Sequence, residues 1–197
     1  MNKKLPLLYY LGKYLLGPIF KIYYNPKIIG KENIPKQGAI IIAGNHKHLY
    51  DQCMAIISTK RGIHYMAKKE YFDSKKTAWF FKMAGCISVD RSKKDPVAKE
   101  KAISVLNDGG AIGIFPEGTR NKTKEFLLPF KFGAVSMAKK TDAYIVPFGI
   151  TGDYKFRSKN LIATFGKPFK VTNMELDKAN EKLYKKVYEL MKQNSKK

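Results

Sequence analysis

A chain of 197 residues is long enough for one domain with a sizeable core and too short for two comfortable ones. Hydrophobic residues at 44% and charged residues at 27% are a globular composition, which excludes a disordered tail and a polytopic membrane protein. Lysine and arginine (38) outnumber aspartate and glutamate (16), leaving +22, and such self-repulsion serves contact with nucleic acid or with an anionic membrane face.

The chain opens on Lys3 and Lys4 followed by a greasy stretch, Leu5 to Tyr24. Lys13 and Lys21 interrupt it and no small-x-small site follows, so it does not read as a cleaved signal peptide. It also lacks the run of about 18 apolar residues that a bilayer span needs. Leu7, Leu8, Leu11, Leu15, Ile19 and Ile22 share one helical stripe with Lys13 opposite. Tyr9, Tyr10, Tyr14, Tyr23 and Tyr24 add rings suited to headgroup level. The pattern predicts an in-plane helix broken near Gly17-Pro18; a core-packing helix has the same spacing, but the opposite face here is basic and carries no acid. Residues 1–27 are therefore read as N-terminal amphipathic membrane-association helices, and 28–197 as one domain.

Beyond Asn25-Pro26, apolar runs predict strands at Ala39–Ala43, Ile63–Ala67, Ile87–Asp90, Ala111–Phe115, Tyr144–Ile150 and Leu161–Phe165. Helices are expected over Gln52–Thr59, Thr77–Met83, Pro96–Asn107 and Lys131–Lys139. A last helix carries Leu176, Ala179, Leu183, Val187 and Leu190, with Thr172 or Asn173 as candidate cap. Continuous apolar strands alternating with helices predict an α/β fold: a single domain with a mainly parallel or mixed central sheet flanked by helices.

Candidate chemistry sits at strand ends, where α/β sheets usually bind ligands. After Ala39–Ala43 comes Gly44-Asn45-His46-Lys47-His48-Leu49-Tyr50-Asp51. On a continuous helix His46 and Asp51 would diverge by about 140°, but across a loop they can converge. A carboxylate that fixes the imidazole tautomer makes a competent general base. A lone H-x4-D is also the pattern of a surface histidine and a capping aspartate. His46-x-His48 resembles half a zinc motif, yet the remaining histidine, His64, stands alone, and no metal is assigned. The second segment is Gly85-Cys86-Ile87-Ser88-Val89-Asp90-Arg91. In the third, Ile112-Gly113-Ile114-Phe115-Pro116-Glu117-Gly118-Thr119-Arg120, Gly118 permits close backbone approach and Arg120 offers a planar fork to a phosphate. The fourth, Tyr144-Ile145-Val146-Pro147-Phe148-Gly149-Ile150, carries a proline of the kind found at a sheet edge or a ligand-lined end. The two cysteines, Cys53 and Cys86, form no C-x-x-C pair, which excludes zinc-finger and iron–sulfur sites and fits a reducing compartment.

In this order the four segments resemble the 1-acyl-sn-glycerol-3-phosphate acyltransferase family. Asn45-His46-x4-Asp51 is similar to its first motif, Val89-x-Arg91 to its second, Phe115–Arg120 to its third and Ile145-Val146-Pro147 to its fourth. The similarity spans about residues 28 to 170, including Tyr65-Met66-Ala67-Lys68-Lys69-Glu70. One departure is His48, where the family often has serine.

The resemblance implies an O-acyltransferase domain over 28–197. It would move a fatty acyl group from acyl-CoA or acyl-carrier protein, as co-substrate, to the sn-2 hydroxyl of 1-acyl-sn-glycerol-3-phosphate. Glycerol-3-phosphate or another lysolipid is the alternative acceptor. His46 and Asp51 are the expected catalytic pair. Arg91, Glu117, Gly118, Thr119 and Arg120, with Lys68 as helper, are expected to hold the acceptor phosphate. No cofactor is implied. The expected partners are an anionic lipid surface at the cytoplasmic face of the cell membrane, the lysophospholipid and the thioester. Nucleic acid is not among them, because no reading motif accompanies the charge.

Overall fold

The computed structural model describes residues 5–90, 92 and 94–196. Its elements run α1 (Leu7–Tyr24), β1 (Lys27–Ile29), β2 (Ile40–Gly44), α2 (Asp51–Ile56), β3 (His64–Lys68), α3 (Glu70–Asp73), α4 (Lys75–Met83), β4 (Ile87–Val89), α5 (Pro96–Asn107), β5 (Ala111–Ile114), α6 (Gly133–Thr141), β6 (Tyr144–Thr151), β7 (Ile162–Phe165) and α7 (Leu176–Asn194). The strands form one sheet in the order β1-β7-β6-β2-β5-β3-β4. Every neighbouring pair is parallel except β6 with β7, so the sheet is mixed.

Both faces of the central strands are covered, which is why they read as unbroken apolar runs. Ile41, Ala43, Ile112 and Ile145 face α5, α6 and α7 in one cluster. Ile40, Ile42, Val146 and Phe148 face α2 in the other, with Phe20 and Tyr24 of α1 packed against its rim. The alternation along β2 is the period of two expected of a strand. At α5, Asp95 caps the helix by accepting from the Ala98 N–H at 2.9 Å, and Pro96 stands in the first turn.

Four expectations are corrected. Helix α1 is not broken at Gly17-Pro18 but continues through Pro18 to Tyr24; Pro18 lies on the exposed side, where its ring meets water and not a packed neighbour. The N-cap of α7 is Glu175, not Thr172 or Asn173, and the Thr172 hydroxyl donates to Asp142 instead. The fourth segment lies inside the sheet: β6 runs between β2 and β7. Pro147 is accommodated there because the antiparallel ladder is interrupted between the Ile145–Phe169 bridge and the Phe148–Phe165 pair, leaving a gap where its missing N–H goes unused. Finally β1, absent from the sequence reading, adds a seventh strand at the edge beyond β7.

Helix α1 docks by the face opposite its apolar stripe. Tyr9 is buried and its hydroxyl accepts from the Ile63 N–H at 3.2 Å, while the Lys13 ammonium donates to the Arg61 carbonyl at 2.7 Å. Leu7, Leu11, Leu15, Ile19 and Ile22 are left exposed, Leu7 by 85% and Ile22 by 74%. Among the described residues no helix is long and apolar enough to cross a membrane.

Candidate active site

Strand β2 ends at Gly44, where a Cβ would stand 2.3 Å from the Phe148 carbonyl oxygen, so the chain must be bare to turn here. Asn45 then locks the turn. Its buried side-chain amide donates to the Ile150 carbonyl at 2.9 Å and accepts from the Ile150 N–H at 2.7 Å, replacing the next rung of the β2–β6 ladder. The following residue, His46, is thereby held at the carboxyl end of the sheet.

His46 and Asp51 converge across the loop, as the spacing allows. Asp51 is the first residue of α2 and is fully buried, with Oδ2 2.8 Å from His46 Nδ1. The same oxygen accepts from the Lys47 and His48 N–H groups, each at 2.7 Å, and Oδ1 accepts from the Tyr154 hydroxyl at 2.8 Å. A buried carboxylate needs such company, because an uncompensated charge there costs several kcal/mol. With Nδ1 turned to Asp51, the imidazole presents Nε2 outward, and no described residue hydrogen-bonds it. The ring is held flat on Phe115, with centroids 4.0 Å apart and planes 10° apart. A histidine fixed in one tautomer, backed by a carboxylate and open at Nε2, is equipped to take a proton from a hydroxyl. At the family's serine position, His48 leaves this pair intact: its ring stacks on Tyr154 at 4.4 Å and its backbone N–H joins the Asp51 contacts.

The segment after β5 grips the His46 backbone from both sides. Glu117 accepts from the His46 N–H at 2.6 Å through Oε1 and from the Leu128 N–H at 3.0 Å through Oε2, while the Asn121 N–H donates to the His46 carbonyl at 2.6 Å. Glu117 is buried, and burial pushes its carboxyl above the usual range against the pull of those two donors. Gly118 has φ +73°, a left-handed conformation that favours glycine, and the flexible end of the Lys131 side chain lies over it, within 2.9–3.0 Å of where a Cβ would stand. Thr119 is exposed and Arg120 half-buried, and no described residue forms a hydrogen bond or ion pair with the Arg120 guanidinium. Beside this loop, a cavity of about 240 Å³ is lined by Met66, Val89, Ile114 and Phe115, with the cations Lys99 and Lys131 and the acids Asp90 and Asp95 at its wall. Lys68, at the end of β3, is ion-paired with Glu70 at 2.5 Å and half exposed. Arg91 lies outside the described residues; its neighbour Val89 ends β4 at the same side of the sheet. The ends of β2, β5, β3 and β4 thus bring the first three segments together, and the fourth braces β2 from its other side.

A family model described as Acyltransferase matches residues 25–151. The chain belongs to the acyltransferase family. It is 35% identical over 127 residues to the 1-acyl-sn-glycerol-3-phosphate acyltransferase of Bacillus subtilis, covering 64% of this chain and 62% of that protein. It is 31% identical over 190 residues to the protein of the same name from Saccharomyces cerevisiae, covering 88% and 59%. The chain therefore spans about three fifths of the length of the curated relatives it matches. The fold is shared with the crystal structure of the 1-acyl-sn-glycerophosphate acyltransferase of Thermotoga maritima, at TM-score 0.75 and 19% identity over 96% of this chain and 88% of that one.

Two residues of this acyltransferase-family site escaped the sequence reading. Tyr154 was hidden because it lies 103 positions from Asp51; the signal available was that a strand parallel to β2 must end beside the same loop, which makes polar groups just past Ile150 candidates. Lys131 reads as the start of a helix but stands in the loop before α6, over Gly118. Burial pushes the Cys53 thiol up to about 11 and the Cys86 thiol up to about 12, so neither is a thiolate near neutral pH and neither is a nucleophile for this site.

Proposed function

We propose that the chain acylates the sn-2 hydroxyl of 1-acyl-sn-glycerol-3-phosphate from acyl-CoA or acyl-carrier protein, giving phosphatidic acid. The observation that carries this reading is the His46–Asp51 pair with Nε2 open, at the strand ends of a chain in the acyltransferase family. Relatives named 1-acyl-sn-glycerol-3-phosphate acyltransferase support the choice of acceptor.

In this reaction Nε2 of His46 removes the proton of the attacking hydroxyl as its oxygen bonds to the thioester carbon. The tetrahedral intermediate collapses with cleavage of the C–S bond, and the imidazolium returns the proton to the departing thiolate. General base catalysis of this kind supplies about 10²–10⁴-fold, so much of the acceleration comes from holding the two substrates in line. Arg120, with Thr119 and the Gly118 backbone, would hold the phosphate; Lys131 adds a cation beside Gly118. Arg91 and Lys68 are the further phosphate candidates, Lys68 after exchanging its partner Glu70.

The N-terminal helix serves as the anchor to the cytoplasmic face of an anionic membrane. Its leucine–isoleucine stripe faces away from the domain, free to enter the headgroup boundary. An enzyme working there spares its lipid substrates the transfer of acyl chains through water, about 0.8 kcal/mol per CH₂.

The test is to incubate full-length protein in detergent with a panel of lysolipids and glycerol-3-phosphate, each with acyl-CoA and with acyl-carrier protein, and to identify products by mass spectrometry. Phosphatidic acid from 1-acyl-sn-glycerol-3-phosphate is expected. Acylation of glycerol-3-phosphate alone would move the assignment to the earlier step, and no acyl product from any pair would overturn it.

A further inference from the structure

Between β3 and β4 the chain forms a small helical hairpin of α3 and α4, joined at Ser74, in which none of residues 68–86 is buried. Its coherence comes from its own rings: Tyr71 stacks on Phe81 at 4.7 Å with planes 5° apart, and Phe72 lies 5.8 Å from Phe81. On the outside, Trp79 and Phe80 stand side by side, 57% and 54% exposed, with Lys75, Lys76 and Lys82 around them and no acid on α4. Two large apolar rings on the outer face of a hairpin that contributes nothing to the core call for a partner.

We infer that the α3–α4 hairpin is a second membrane-contacting element, which seats Trp79 and Phe80 in the headgroup boundary of an anionic bilayer. Three observations select a lipid surface. The Trp79 indole N–H already donates to the Lys76 carbonyl at 3.1 Å, so the ring enters an apolar layer without stranding a donor. The lysines beside the rings match anionic headgroups, each adding attraction near the surface. The hairpin also adjoins the start of α1: Leu5 packs so closely on Gly85, two residues past α4, that a Cβ there would lie 1.9 Å from Leu5 Cδ2. The residues just before α1 and those just past α4 therefore pack together, which brings the amino end of the anchor helix beside the carboxyl end of α4. The hairpin connects β3 to β4, whose ends carry Lys68 and lead to Arg91, so its seating would fix the acceptor side of the site at a set height above the headgroups. This rests on the reading of α1 as an anchor and of the acceptor as a membrane lipid.

Trp79 is the only tryptophan of the chain, so intrinsic fluorescence reports this one position. Full-length protein added to vesicles of phosphatidylcholine and phosphatidylglycerol should show a blue-shifted emission that lipids brominated on their acyl chains quench. Phe80→Glu, which keeps Trp79 as reporter, should lose the shift while keeping activity on detergent-dispersed substrates. Phe80→Ala should weaken vesicle affinity by about tenfold, ~1.4 kcal/mol. Flotation with unshifted, unquenched Trp79 would leave the anchor reading standing and overturn the hairpin's role. A shift produced by acyl-carrier protein and not by vesicles would also overturn it, in favour of a protein-docking surface. Loss of flotation together with normal activity in detergent would sink both membrane assignments and leave the catalytic one intact.

Discussion

The Tyr154 hydroxyl donates to Oδ1 of Asp51 at 2.8 Å, filling the carboxylate oxygen that His46 does not use. Burial, the Asp51 charge and this hydrogen bond together hold the phenol protonated far above its ordinary range, so it keeps the proton it donates to Asp51. Tyr154→Phe removes one net hydrogen bond, about 0.5–1.5 kcal/mol, and should lower kcat/KM by no more than about tenfold. The diagnostic is the pH profile. Without the donor, more negative charge remains on Asp51 to stabilise the imidazolium, so the acid limb of kcat/KM should move to higher pH. A fall in activity with an unmoved limb would mean that Tyr154 only packs.

His46→Ala should abolish acyl transfer without loss of fold, because its ring is one face of a stack on Phe115 and not a core element. More than about a tenth of wild-type turnover remaining would contradict a general base. Asp51→Asn should be nearly as damaging yet still folded. The amide oxygen can take the Oδ2 position and its NH₂ can donate to Tyr154, which preserves geometry but removes the charge that stabilises the imidazolium. Circular dichroism alongside turnover separates the two effects.

How far the sequence carried is clearest at β2. Its run of isoleucines, the H-x4-D spacing and the Phe115–Arg120 segment were legible because each is local: periodicity, turn chemistry and motif all lie within a few positions. The bracing of His46 by Glu117 and Asn121 was not, since it joins residues 71 and more positions apart. Glu117 illustrates the difference. The resemblance implies a substrate contact for it, whereas both of its oxygens face backbone N–H groups inside the protein. The stripe of α1 was legible as well, but which face would dock was not: Tyr9 and Lys13 turn inward because they find backbone partners at Ile63 and Arg61, while Tyr14 and Tyr23 stay exposed.

Glu117→Gln tests that difference. A glutamine has one acceptor oxygen and one NH₂, so one of the two backbone donors must face another donor. Leaving a buried donor unsatisfied costs about 1–3 kcal/mol. The expected result is a lower melting temperature and a lower kcat, with acceptor KM little changed. A raised acceptor KM with unchanged stability would place Glu117 on the substrate after all.

Arg120→Ala should show the opposite split, raising acceptor KM while leaving melting unchanged, because no described residue is bound to its guanidinium. Arg120→Lys should restore only part of the loss, since an ammonium lacks the fork that meets two phosphate oxygens. Initial rates against 1-acyl-sn-glycerol-3-phosphate concentration decide it, and unchanged acceptor kinetics would move the phosphate elsewhere.

Lys13 makes the docking of α1 pH-dependent. Burial beneath the helix lowers its ammonium from the usual 10.5 to about 8. Between those values the undocked chain binds a proton that the docked chain does not, so docking strengthens as pH rises through that window; below about 8 the ammonium is charged in both states and the burial cost is fully present. The neutral amine can still donate to the Arg61 carbonyl. Hydrogen exchange of residues 7–24, corrected for intrinsic rates, should therefore slow between pH 7 and about 9, before ordinary tyrosines ionise near 10. Lys13→Met removes the titrating group and should leave exchange slow at both pH values. A wild-type helix that loosens with rising pH, or a variant with the same pH dependence, would assign the effect to another group.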